Sequence, residues 1–360
     1  MIEYEKNTPP LHNACFDKKT RIGYIDAARG FVMLIVVFQH VRAFGLKLFA
    51  EDGLLSFIYL YFFLNTFFLL SGYLSERVLN VSTFMELFEK IIAKFKALII
   101  PTAIFFVIYN LIASRNESME LWSFPGGYWF TYVLFIISAL TITVAYIANK
   151  IRASSKVIWI LLLLSLIMQF ARVVFPDEID SGVLYVLRTR QTCTYFLFFI
   201  IGILIKRNEN ELFKVFETQW FRTCLIGGTF SIYILRYSMQ SDLSRSILLC
   251  SDFIISIVST IAIFVVFLLT NKYWQSDVLI SNGMKLIGSK SLDIYMLHYF
   301  FIPALPLLGT YFRSACNSAI EIAVVGSISL LVVALCIFTS RIIALSRPLY
   351  CLLFGKYYCR

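Results

Sequence analysis

Of the chain's three histidines, His40 and His298 each fall inside a long apolar run, as does Arg29. Ionisable side chains are expensive in such surroundings and are usually retained for function. The first run, IDAARGFVMLIVVFQH, spans residues 25–40, with Arg29 and His40 eleven positions apart. At 100° per residue that separation is three turns plus roughly 20°, so in a helix the two share one face, ~16 Å apart along the axis. Asp26, three positions before Arg29, joins that face within reach of an ion pair that lowers the cost of burying the guanidinium. This arrangement suits an anionic ligand that meets Arg29 and reacts at His40. An alternative reading makes Asp26 and Arg29 interfacial anchors and His40 a hydrogen-bonded packing residue.

A second run, LIGSKSLDIYMLHYFF, spans residues 286–301. Ser291, Tyr295 and His298 are spaced by four and three and line one helix face, with Asp293 roughly opposite. A neutral imidazole is a general base, and a neighbouring Ser or Tyr can position a substrate hydroxyl. Hydrogen bonding of Tyr295 and His298 between helices is the competing reading. Two further stretches carry small or aromatic groups at membrane-facing ends. In NTFFLLSGYLSERV, Ser71 and Gly72 permit close helix approach or a backbone-lined anion contact, and Arg77 follows. In FPGGYWFTYVLF, Trp129 reads first as an aromatic-belt residue at the outer interface.

The elements that must hold these residues are membrane helices. Of the 360 residues 59% are hydrophobic and only 15% charged, with a mean hydropathy of +0.78, which excludes an ordinary soluble domain. A crossing needs about 20 mostly apolar residues. Ten candidates are centred near residues 35, 64, 102, 138, 165, 198, 229, 259, 299 and 330. Pro101, Gly202, Gly227, Pro303 and Pro306 are expected as kinks rather than breaks. Basic residues collect on alternate connections, 22 on the side of the N-terminus against 9 on the other, which predicts both termini in the cytoplasm. The net charge of +10 then reflects attraction to an anionic inner leaflet and gives no support to nucleic-acid binding. The first two dozen residues lack the apolar core of a signal peptide. The eight cysteines show no CxxC or metal-ligand spacing and read as apolar fillers, so no metal site is expected. The expected architecture is an all-α polytopic membrane protein of about ten helices in a single domain over 1–360, with cytoplasmic tails at 1–22 and 347–360.

Taken in order, the motifs resemble acyltransferase family 3, the membrane O-acetylases of O-antigen and other cell-surface polysaccharides. The resemblance rests on Ile25-Asp26-Ala27-Ala28-Arg29-Gly30 leading to His40, on Phe67 to Leu74 (FFLLSGYL), on Tyr128-Trp129-Phe130, and on Ile287-Gly288 through Ser291 to Ile294-Tyr295-Met296-Leu297-His298. It implies transfer of an acetyl (acyl) group from acetyl-CoA, bound as donor substrate and not as a permanent cofactor, to a hydroxyl of a glycan or lipid-linked saccharide. It further implies residence in the cell inner membrane. By the resemblance His40 is the catalytic candidate and Arg29 its essential partner, with supporting positions at Ser71, Trp129, Tyr295 and His298. Arg29 and Arg77 would draw the donor's phosphates, and Asp26 and Ser291 lie on the same two faces. Asp293 departs from the family pattern as an extra acid. The soluble hydrolase-like domain of longer members is not found, so a second transfer step would have to occur within the membrane domain. Two rival classes are a transporter or flippase of a saccharide or lipid precursor, which predicts paired halves that the sequence does not display, and an acetyltransferase for a small cytoplasmic metabolite.

Overall fold

A computed structural model of the chain describes residues 22–48, 59–113, 125–179, 181–238, 245–315 and 318–356, and among these every regular element is helical. Apolar solvent leaves backbone groups no partner but each other, and a helix satisfies them within one segment. The principal helices are α1 (Gly23–His40), α2 (Phe63–Tyr73), α3 (Phe84–Ala113), α4 (Trp129–Lys150), α5 (Val157–Val174), α6 (Thr189–Arg207), α7 (Gln219–Ser238), α8 (Arg245–Leu269), α9 (Leu279–Ser289), α10 (Ser291–Leu297), α11 (Pro306–Ala315), α12 (Ser318–Ile343) and α13 (Arg347–Phe354). Six stretches among the described residues are long and apolar enough to cross a bilayer: Gly23–Gly45, Phe84–Ile112, Gly126–Lys150, Ser154–Val174, Ile247–Leu269 and Ala319–Ile343. Their outward faces carry exposed Leu111, Leu163, Phe170, Leu331 and Phe338, as a lipid-facing surface requires. The chain is a multi-pass membrane protein. The expected N-terminal tail lies, but for Ile22, outside the described residues.

Pro101 lies within α3, as expected of a tolerated membrane proline. The segment centred near 299 corrects the expectation for Pro303 and Pro306, which were to be kinks. The chain leaves the helix after a 3-10 turn at His298–Phe300 and resumes only at α11, with Pro306 as its first residue. Proline lacks the N–H that would continue the ladder and clashes with the preceding turn, so two in four residues end the helix. His298 therefore stands at a helix terminus. His40 does likewise, since α1 widens into a π-helical turn at Val41–Gly45 directly after it.

Two crossings set the bundle's geometry. Where α1 meets α9, a Cβ on Gly30 would lie 2.2 Å from the Met284 carbonyl oxygen, and one on Gly288 would lie 1.8 Å from that of Asp26. Where α2 meets α6, a Cβ on Gly72 would lie 1.9 Å from the Phe199 carbonyl oxygen. Of the two readings of the Ser71–Gly72 pair, close helix approach is the one observed. The segment expected as a C-terminal tail folds as α13, which packs on α3 and buries Tyr350 and Phe354.

Candidate functional site

α1 and α10 end side by side, and their terminal histidines touch. His40 Nδ1 is 2.6 Å from His298 Nε2, with the rings stacked at 4.8 Å and 9°. The other nitrogen of His298, Nδ1, is 2.7 Å from the Tyr295 carbonyl oxygen. A carbonyl only accepts, so His298 Nδ1 carries the proton and, with both rings neutral, its Nε2 accepts from His40 Nδ1–H. That leaves the lone pair on His40 Nε2. His298 is fully buried whereas His40 is half-buried, so the free base is the one nearer the surface. Tyr299 covers the pair, its ring 5.1 Å from His40 and 4.1 Å from His298. The Tyr299 and Tyr295 hydroxyls both donate to the Gly127 carbonyl, each at 3.1 Å, and the Phe130 N–H donates to Tyr295 Oη at 3.2 Å.

Deeper between the helices is a cavity of about 110 Å³ lined by Arg29, Ser71, Ser291, Tyr295, Thr131 and apolar groups including Met33 and Phe130. Four residues singled out from three separate stretches of sequence thus converge on one space. Arg29 Nε is buried and has no hydrogen-bond partner among the described residues, and Asp26 is its electrostatic neighbour. A guanidinium N–H left unsatisfied in an apolar bundle is costly and fits a group that an acceptor on a ligand completes.

The Trp129 ring stacks 5.7 Å from Tyr195, which in turn stacks 4.6 Å from Phe68. Arg77 is exposed on the 3-10 turn Glu76–Leu79 and is not brought into the cavity, and Asp26 also faces a separate cavity with Trp274 and Lys285. Asp293 turns away from the histidines, fully buried, and accepts hydrogen bonds from Ser340 Oγ (2.6 Å), Tyr350 Oη (2.8 Å) and Lys356 Nζ (2.5 Å), with Lys290 Nζ at 3.2 Å.

Sequence reasoning missed the group behind His40. Arg42, one of the nine basic residues counted on the side opposite the N-terminus, is 1% exposed. Its Nε donates to Glu321 Oε1 at 2.6 Å and its Nη1 to Tyr59 Oη at 3.3 Å, while Tyr59 bonds Gln39. The available signal was Glu321 itself, an acid at the head of an apolar run.

The family model described as an acyltransferase domain matches residues 22–341. No curated protein and no solved structure matches the chain significantly.

Proposed function

Because the chain belongs to acyltransferase family 3, we propose that it is an O-acyltransferase of the cell inner membrane that moves an acetyl group from acetyl-CoA to a hydroxyl of a cell-surface glycan or lipid-linked saccharide. The observation that carries the reading is the 2.6 Å contact between His40 and His298. Together with the His298 Nδ1–H on the Tyr295 carbonyl, it supports a tautomer in which His40 Nε2 is the base, next to the surface. In this mechanism His40 Nε2 takes the proton of the acceptor hydroxyl as its oxygen attacks the thioester carbonyl. The C–S bond breaks, the ester forms, and the CoA thiolate takes the proton back from His40. His298 holds the imidazole in place and stabilises the charge it acquires, as an orienting partner does in other base-assisted acyl transfers. The cavity at Arg29 supports binding of the donor along α1, with the unpartnered guanidinium N–H as an anchor for an oxygen of the donor and Ser71, Ser291 and Tyr295 beside it. The proposal includes ten crossings with both termini in the cytoplasm, so that donor and acceptor arrive from opposite faces.

The test is incubation of detergent-solubilised wild type and His40→Ala with radiolabelled acetyl-CoA and a panel of lipid-linked and free saccharides. Transfer by wild type, lost in a folded His40→Ala, supports the reading. A wild type that neither binds nor consumes acetyl-CoA overturns the donor assignment.

A further inference from the structure

A second polar cavity, of about 150 Å³, lies at the end of the bundle where His40 and His298 stand, and the proposed mechanism does not use it. It is walled by Arg172, Asp252, Asn65, Thr194, Tyr195 and Ser256, contributed by α2, α5, α6 and α8. Its charges are built in. Asp252 Oδ1 accepts from Arg236 Nε at 2.8 Å and from Tyr61 Oη at 2.8 Å, which accounts for one guanidinium. Arg236 is nine-tenths buried, and its Nη1 has no hydrogen-bond partner among the described residues. Arg172 is held by its Nε, which donates to Gln169 Oε1 at 3.1 Å, while Gln169 Nε2 donates to the Thr194 carbonyl at 2.8 Å. Among the described residues the hydrogen bond recorded for Arg172 is the one from its Nε, and the charged side chains that bear on it are Asp252 and a further cation, Arg190. Positive charge is therefore in excess around a cavity that also offers a carboxylate, an amide and hydroxyls. Excess guanidinium calls for an anion that accepts two parallel N–H bonds, and the neutral polar groups suit the hydroxyls of a sugar. The volume, about that of five waters, fits one ring.

Resting on the acyltransferase reading, we propose that this cavity holds the charged residue of the acceptor, making the acceptor an acidic saccharide that carries a carboxylate or a phosphate monoester. Tyr195, on the cavity wall, stacks on Trp129, two residues after the Gly127 carbonyl that fixes Tyr295 and Tyr299 beside the histidines. A neighbouring sugar residue of the bound chain would then present its hydroxyl to His40.

Saturation-transfer NMR on the full chain in detergent micelles tests this with three probes: methyl glucuronide, glucose 1-phosphate and methyl glucoside. The expected result is transfer to at least one acidic probe and none to the glucoside at equal millimolar concentration. Whichever acidic probe binds identifies the carboxylate or the phosphate as the group recognised. Arg172→Gln is expected to weaken that binding at least about tenfold, Arg172→Lys to restore part of it, and His40→Ala to leave it unchanged. Asp252→Asn, which removes the negative charge, is expected to strengthen it, a direction that misfolding does not produce. Equal binding of acidic and neutral probes, no binding of either acid, or acid binding indifferent to Arg172→Gln overturns the proposal. Failure of the acyltransferase reading would show differently, as intact acid binding with no consumption of acetyl-CoA.

Discussion

His40 and His298 face each other nitrogen to nitrogen, and the direction of proton donation makes their roles unequal. His40→Ala removes the base and is expected to lower kcat by about 10²–10⁴-fold. His298→Gln keeps a polar side chain of similar reach and should cost less, with the loss in kcat and little change in the KM for acetyl-CoA, because it acts through His40 and not on the donor. Steady-state label transfer at several acetyl-CoA concentrations separates the two, and an unchanged kcat in His298→Gln would remove it from the mechanism. Behind them, Arg42 and Glu321 form an ion pair with side-chain exposures of 2% and 17%. Glu321→Gln removes one charged partner of a buried guanidinium and should destabilise by about 3–5 kcal/mol, read as a lower melting temperature in detergent. Arg42→Met combined with Glu321→Leu should recover much of that loss, since a packed apolar pair replaces the ion pair. The Arg29-to-His40 face was legible from sequence because helix periodicity is local. The partner of His40 was not, since 258 residues separate the two rings and no local pattern encodes which helix ends meet.

Helix crossings explain why so much of the motif chemistry is accompanied by glycine. Gly30 and Gly288 let α1 and α9 approach backbone to backbone, which sets the register of Arg29 against Ser291 and, one helix further, of His40 against His298. Gly288→Ala must separate the helices or fail to fold, at a cost of about 1–3 kcal/mol or more. Gly326→Ala in α12, where an added Cβ would meet nothing within 4 Å, is the matched control and should be neutral or slightly stabilising. Thermal melts of the two variants decide it: equal melting temperatures would mean the crossing tolerates a methyl group and does not fix the register. The buried carboxylate of Asp293 plays the corresponding part on the other side of α10. It ties α10 to α12 through Ser340, and through Tyr350 and Lys356 to α13 and the residue two positions beyond it. Sequence placed Asp293 opposite Tyr295 and His298, which the structure bears out, but gave no sign that the segment after 346 folds back to meet it. An eight-residue helix earns its stability from the contact it makes, and that contact is with residues distant in the chain.

At the scale of the whole molecule, the ends of the helices sort the chemistry into two levels. His40, His298 and the Arg172 cavity lie at one end, while Asp26 and the connection between α4 and α5 lie at the other. Composition made the membrane class legible, because apolar surface on this scale has no other solvent. Six of the ten expected crossings are helices long and apolar enough on their own. The segments near 64, 198, 229 and 299 do not meet that measure among the described residues, and the last is broken between the turn at His298–Phe300 and Pro306. The charge bias predicts the sidedness, which can be measured directly. In a background without native cysteines, Thr310→Cys, exposed at the histidine end, should react with a membrane-impermeant maleimide on intact cells. Ser154→Cys, exposed at the opposite end, should react only after permeabilisation. That pattern would put the base at the outer face and require the acetyl group to reach it through the bundle, along the face of α1 that runs from Arg29 to His40. The reverse pattern would put His40 within direct reach of cytoplasmic acetyl-CoA. The acceptor would then also be cytoplasmic, and a small metabolite, not a surface glycan, would become the substrate to test.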